Sequence, residues 1–161
     1  MKILILGIVA SGKTTLARRL SKESGISYYE IDSIVHDDEN HRKRNVEEQR
    51  EIIEKINDQE HWILEGTLRK NLYFLFDYAD QILYINLPLK IRKKRIFLRF
   101  LKQKLHIEKC NYKPSIKMLK QMYQWTKEFE TKREKLEREL SQYSSKLITL
   151  ESKKQVKEYH L

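Results

Sequence analysis

An almost wholly apolar run, Lys2-Ile-Leu-Ile-Leu-Gly7, leads directly into Gly7-Ile-Val-Ala-Ser-Gly12-Lys13-Thr14-Thr15. This second segment matches G-x-x-x-x-G-K-[ST] at every defined position, and the pair constrains the fold more than any other feature of the chain. A strand this apolar is buried on both faces, which calls for a parallel sheet with helices on either side. The helix then runs from Lys13 to Glu23, with Leu16 and Leu20 inward and Arg18, Arg19 and Lys22 toward solvent. Between strand and helix, the glycines let successive backbone N–H groups converge on a phosphate at the positive end of the helix. Gly7, Ala10, Ser11, Gly12, Lys13, Thr14 and Thr15 are therefore the expected cofactor-binding residues for ATP. Lys13 reaches the β- and γ-phosphates, and the Thr14 hydroxyl is placed to ligate Mg²⁺.

Four more short apolar runs read as strands: residues 26–32, 62–66, 81–87 and 146–150. Helical spacing fills 46–56, with Ile52, Ile53 and Ile56 inward, and also 70–78, 89–107, 114–143 and 152–160. Residues 36–45 carry mixed charge and no period, which predicts a loop. Alternating strands and helices predict an α/β fold: a five-stranded parallel sheet flanked by helices, with a helical lid. One domain over residues 1–161 is expected, with the lid at about 89–110. Met118, Met122, Trp125 and Phe129 recur at helical spacing and are expected to pack in the core. The single cysteine, Cys110, excludes an intramolecular disulfide, is expected to be an inert thiol, and points to a reduced, cytoplasmic setting. The early apolar run is too short for a leader or a membrane span, so no membrane partner is expected. His36 and His41 have no cysteine nearby and are not expected to bind metal.

Charge is unevenly placed. Residues 1–80 hold 12 basic and 15 acidic side chains, whereas residues 81–161 hold 21 and 8. A basic half suits nucleic acid, an anionic surface or a highly charged small substrate, and composition alone does not choose. The guanine-reading Asn-Lys-x-Asp run of GTPases is absent. Two readings remain: a small phosphotransferase, or an ATP-binding regulator that contacts DNA through its basic C-terminal half.

Over nearly its whole length the chain resembles the DNA topology modulation proteins, small adenylate kinase-like P-loop kinases. The resemblance rests on the first strand with its loop, Tyr29-Glu-Ile-Asp32, Trp62-Ile-Leu-Glu65-Gly66-Thr67-Leu68-Arg69, and Ala79 to Pro88 followed by an Arg-rich helix. It implies a P-loop kinase fold, ATP binding with Mg²⁺, kinase activity on a nucleoside or nucleotide, and an effect on DNA topology. On the matching positions it implies three roles. Asp32, expected at the end of the second strand, accepts the acceptor's proton or touches Mg²⁺ through water. Glu65 stands where relatives carry Asp and helps to order Mg²⁺ and the substrate. Arg69 grips an acceptor anion, for which its planar fork is suited. The fold also puts the adenine near Glu151, Ser152 and Lys153. Oligomeric state is not legible, because no exposed apolar patch stands out in the sequence.

In the segment from Leu89 to Leu105, Ile91, Leu98, Leu101 and Leu105 fall on one helical face. Arg92, Arg95, Arg99 and Lys102 recur along an adjacent one. Arg95 and Arg99, near the middle of that stripe, are the expected catalytic arginines, alongside Lys13 and Asp32. Replacing Lys13 with alanine is expected to abolish ATP binding or turnover. Titration with a fluorescent ATP analogue and an ATP-consumption assay read this directly, and retained affinity together with retained turnover would refute the phosphate-loop assignment.

Overall fold

A computed structural model describes residues 1–37, 39–107 and 114–161. Cys110 and the end of the expected lid lie outside them. The strands are β1 (Lys2–Gly7), β2 (Tyr28–Glu30), β3 (His36–Asp37), β4 (Arg42–Lys43), β5 (Trp62–Gly66), β6 (Gln81–Ile85) and β7 (Leu147–Leu150). The helices are α1 (Lys13–Ser24), α2 (Ile31–Val35), α3 (Val46–Asn57), α4 (Leu75–Tyr78), α5 (Leu89–Lys104), α6 (Ile116–Ser141) and α7 (Lys153–Glu158). Single 3₁₀ turns occupy Lys70–Leu72 and Ser144–Lys146.

Five strands form one parallel sheet in the order β2-β5-β1-β6-β7, with β1 at its centre. Side chains alternate along each strand, so each central strand feeds two cores. Leu4 and Leu6 of β1, Leu64 of β5 and Ile82 and Tyr84 of β6 face one layer, where they meet α2, α3, α4 and Leu140 of α6. Ile3 and Ile5, Ile63, Leu83 and Ile85 face the other, against Leu16, Ala17 and Leu20 of α1. Each such fully buried aliphatic side chain contributes about 1.5–3 kcal/mol.

The sequence reading departs from the structure in three places. The second strand ends at Glu30, and Asp32 lies in the first turn of α2 rather than on a strand end. The cause is Gly66, where a Cβ would come within 2.7 Å of Ile31 Cβ, so the chain packs Ile31 over β5 and turns into a helix there. The expected loop at 36–45 contains the β3–β4 hairpin, whose buried Asp37 accepts from Asn40 and pairs with Arg42 and Arg44. Strands of two residues are too short to show a period. The expected helix at 70–78 is a 3₁₀ turn followed by the short α4. Beyond these, α5 is rotated so that most of its apolar face is turned outward: Arg92, Ile96 and Gln103 are buried, while Leu98, Leu101 and Leu105 are exposed.

Arg92 explains that rotation. Its guanidinium is almost fully buried, donates to the Leu87 carbonyl at 2.8 Å, pairs with Glu130 of α6 and lies 5.7 Å from the Phe129 ring centre. Its planar, multiply donating head is held from three directions in this position, and the leucines lie on the opposite side of the helix. The pair locks the base of the α5–α6 hairpin to the end of β6. Arg92→Ala removes the buried guanidinium, its bond to the Leu87 carbonyl and its packing on Phe129, while Glu130 keeps Arg133, and is expected to lower stability by about 2 kcal/mol. Arg92→Met, which keeps the packing of the stem, should cost less, as measured by urea unfolding of the two variants.

Candidate functional site

The site grows out of the end of β1. Gly7 closes the strand where a Cβ would lie 2.6 Å from Ser11 Oγ and 2.9 Å from the Ile85 carbonyl, so only glycine fits without a shift. The chain then turns through two left-handed residues, Ala10 at φ 60° and Gly12 at φ 103°, before α1 begins at Lys13. A left-handed alanine is uncommon and marks a tightly curled loop. Lys13 Nζ donates to the Ile8 carbonyl at 3.2 Å, folding its ammonium back across the loop.

At the neighbouring edge of the sheet, β5 ends in Glu65, a buried carboxylate that accepts the Thr14 hydroxyl at 2.5 Å. Burial pushes the Glu65 carboxyl pKa up, opposed by the Lys13 charge and the Thr14 hydrogen bond. Burial likewise pushes the Lys13 ammonium down, and Glu65 opposes it. Burial works against the charge of both groups, and each charge partly offsets that effect on the other. Thr67, just past β5, donates to the Gly7 carbonyl at 3.1 Å and ties this edge to the loop.

From the other side, Arg95 of α5 donates to the Ser11 carbonyl at 2.7 Å and to the Ala10 carbonyl at 3.3 Å. Gly12 leaves room for it, since a Cβ there would lie 3.2 Å from Arg95 Nη1. The Arg99 charge is near enough to press the Lys13 pKa down further. Asp32 and Arg69 form an ion pair at 3.4 Å, and the buried Arg69 Nη1 carries no hydrogen bond. The Asp32 and Glu30 charges are both felt at Lys13 and Glu65. Thus the structure gathers Lys13, Thr14, Glu65, Asp32, Arg69, Arg95 and Arg99 around one loop. Arg92 leaves the expected stripe, being committed to Glu130, and Thr15 is exposed on α1.

A cavity of about 460 Å³ opens beside the loop. Leu6, Gly7 and Ile8 form its floor, Thr67, Leu68, Lys70 and Tyr73 one wall, and Trp125, Glu128, Phe129, Lys132, Lys135 and Leu136 of α6 the other. Trp125 is therefore a correction. Met122 is buried and Phe129 packs against the core as expected, but Trp125 is 41% exposed at this cavity. Helical spacing places Trp125 on the same stripe as Met122 and cannot reveal that the stripe runs off the core into a hollow. Thr67 and the α6 lysines are likewise site residues that the sequence reading missed. A more open hollow of about 590 Å³ lies at the β2 edge, lined by Tyr28, Ser33, Arg44, Lys55 and others, and includes no residue of the phosphate loop.

Hard oxygen donors are what Mg²⁺ prefers, and Thr14 with Glu65 supplies two. Among the described residues no three His, Cys, Asp or Glu side chains cluster as a metal cage, so these two suit an ion whose remaining ligands are phosphate oxygens and water. Because the folded Glu65 pKa is raised, its contribution favours the fold below its ordinary pKa and is lost as pH rises through the raised value. Glu65→Gln, which retains an acceptor for Thr14, is expected to flatten the decline in melting temperature as pH rises from acid to neutral. Thermal melts across that range, without nucleotide, check it; an unchanged pH profile would contradict the buried-carboxylate account.

Residues 3–111 match the model of the AAA domain family, AAA_18. A search of curated proteins finds no match. Among solved structures, the chain is similar to shikimate kinase from Bacteroides thetaiotaomicron, with a TM-score of 0.55 and 15% identity over 98% of this chain and 92% of that one. It is also similar to deoxyadenosine kinase from M. mycoides with bound dATP, with a TM-score of 0.52 and 15% identity over 98% and 96%. At such identity these likenesses speak for the fold, a P-loop kinase architecture over the whole chain. No helix among the described residues is long and apolar enough to cross a membrane. With the phosphate loop after β1 and a family match that covers it and four of the five strands of the parallel sheet, the chain belongs to the AAA domain family and has the fold of small P-loop kinases.

Proposed function

We propose that this protein is an ATP-dependent phosphotransferase that moves the γ-phosphate of Mg-ATP to a small acceptor, a nucleoside or nucleotide. The observation that carries the reading is the meeting of the loop hydroxyl of Thr14 with the β5 carboxylate of Glu65, beside the ammonium of Lys13. Mg²⁺, when bound with ATP, draws charge off the phosphate oxygens during transfer. In this chain Gly7 and Ala10 to Thr15 form the phosphate cradle, Lys13 neutralises the β- and γ-phosphates, and Thr14 and Glu65 orient the metal. The adenine sits at the turn after Leu150, where Ser152 caps α7 and Glu151 and Lys153 flank it.

On the acceptor side, Asp32 takes the hydroxyl proton, and Arg69 turns its unpaired Nη1 to an acceptor anion. The cavity beside Gly7 and Ile8 receives the acceptor body. Its volume lies within the usual range for small-molecule sites, and Trp125 and Phe129 offer flat apolar surface. Lys70, Lys132 and Lys135 add positive charge at the same walls. The α5–α6 hairpin acts as the lid over a single domain. Arg95, already on the loop, and Arg99 turn toward the transferring group, an effect that reaches about 10³-fold in rate for a catalytic arginine. The reading goes with a cytoplasmic setting. The resemblance to DNA topology modulation proteins agrees with the loop and strand-end residues; the kinase chemistry, rather than direct contact with DNA, is what the geometry supports best.

An ATP-consumption screen against nucleosides, nucleoside monophosphates and small sugar acids tests the proposal, and no stimulation by any of them would turn the reading toward an ATP-binding regulator. With an acceptor in hand, Trp125→Ala is expected to raise its KM about tenfold, the worth of one aromatic contact, while leaving ATP affinity unchanged. An unchanged KM would move the acceptor out of this cavity.

A further inference from the structure

The outward face of α5 is apolar where a solvated helix face should be polar. Phe97, Leu101 and Leu105 follow one another at four-residue steps, with Leu98 beside them. Their relative exposures are 47%, 37%, 67% and 44%, and Ile107 just beyond the helix is exposed as well. Lys90 and Lys94 continue this face toward the start of the helix. At 100° per residue, Lys93 and Lys104 flank it on one side and Lys102 on the other, and all five lysines are exposed.

The charge on this surface is one-sided. From Leu89 to Lys127 the sequence has thirteen lysines and arginines against a single acidic residue, Glu108. Two of the cations are already used on the inner side: Arg92 pairs with Glu130, and Arg95 holds the phosphate loop. Of the outward lysines, Lys104 lies 6.0 Å from the Phe100 ring centre, and all five are exposed. The surface is therefore built from exposed leucine and phenylalanine interleaved with lysine.

We propose that the outer face of α5 is a docking surface for a bilayer that contains anionic phospholipid. Both of its components are used by that occupant: the lysines meet the negative headgroup layer, and Phe97, Leu98, Leu101 and Leu105 enter the boundary with the acyl chains. The DNA backbone would use the lysines but give the leucines no partner, since affinity for duplex phosphates comes from cations. A second copy of the chain would bury the leucines but bring two rows of lysine together, a like-charge arrangement that opposes pairing. The helix lies flat on the surface rather than crossing it, consistent with the lack of a spanning helix among the described residues. The expectation of no membrane partner concerned leaders and spans, and a peripheral face of this kind is visible only once the helix is folded and its orientation known. The inference does not depend on the phosphotransferase reading, because the face points away from the phosphate loop that Arg95 touches from within.

The test is co-sedimentation of the full chain with phosphatidylcholine vesicles, with and without phosphatidylglycerol. The wild type is expected to bind the anionic vesicles, to bind neutral ones weakly or not at all, and to be released by salt. Phe97→Asp with Leu101→Asp should abolish binding, and Lys90→Gln with Lys94→Gln should weaken it about tenfold or more. Because these side chains are exposed, the variants are expected to keep the wild-type circular dichroism and melting temperature. Phe97→Ala with Leu101→Ala serves if the aspartates do not. Failure of the wild type to bind anionic vesicles, or equal binding to neutral ones, overturns the proposal. So does binding that falls in the lysine variant but not in either apolar variant, accompanied by lysine-dependent binding to duplex DNA. A dimer in sedimentation velocity that the apolar variants dissociate, with no vesicle binding, overturns it in favour of a second copy.

Discussion

The central position of β1 governs the rest of the molecule. It is paired on both edges, to β5 and to β6, and covered on both faces, with Ile3 and Ile5 in one core and Leu4 and Leu6 in the other. A strand held on four sides has no freedom to shift its register. The loop that follows is consequently delivered to a fixed point at the sheet edge, between the ends of β5 and β6. The close approaches at Gly7, to Ser11 on one side and to the Ile85 carbonyl on the other, show how little room that point allows. Everything with chemical capacity is arranged around it: Glu65 from β5, the Arg69 segment just beyond, and α5 from the end of β6.

Within this frame the polar groups are interdependent. Lys13 and Glu65 are each penalised by burial and each relieved by the other, and Thr14 joins them through its hydroxyl. A desolvated pocket holding a cation, a carboxylate and a hydroxyl is poised for a ligand that brings both negative charge and a divalent ion, because such a ligand completes the set that the protein leaves half-compensated. The unpartnered buried Ser11 hydroxyl and Arg69 Nη1 are in keeping with the same incompleteness. A fold optimised only for stability would pair these groups internally.

The α5–α6 hairpin follows another logic. Its base is fastened by a buried cation, with Arg92 bridging the Leu87 carbonyl, Glu130 and the Phe129 ring, and Tyr123 adding a hydrogen bond to the Lys93 carbonyl. That polar anchorage stands beside the buried apolar side chains Ile96 of α5 and Met122 of α6. It frees α5 to turn Arg95 onto the loop and its leucines outward. The consequence is an exposed apolar surface made by Phe97, Leu98, Leu101 and Leu105.

How much of this was legible in the sequence follows from the range of the interactions involved. The phosphate loop, the order of alternating strands and helices, and Lys13, Thr14, Arg95 and Arg99 as residues worth locating came from local patterns, and Asp32, Glu65 and Arg69 from a family resemblance carried by short strand-end motifs. An apolar run, a glycine spacing and a strand-end motif each act over a few residues, so they can be read without knowing what packs against them. The orientation of α5 could not, because its hydrophobic period pointed one way and a single long-range pair, Arg92 with Glu130, decided the other. Nor could the start of α2 at Ile31, which depends on the absence of a Cβ at Gly66, 35 residues away along the chain and adjacent only after β2 and β5 pair. The same holds for Trp125, core-like by spacing but placed at a cavity by where α6 crosses the end of β1. By itself, then, the sequence determined which elements form and where phosphate chemistry belongs. Tertiary structure decided which faces those elements turn to one another, because that choice rests on contacts between residues the chain brings together only on folding.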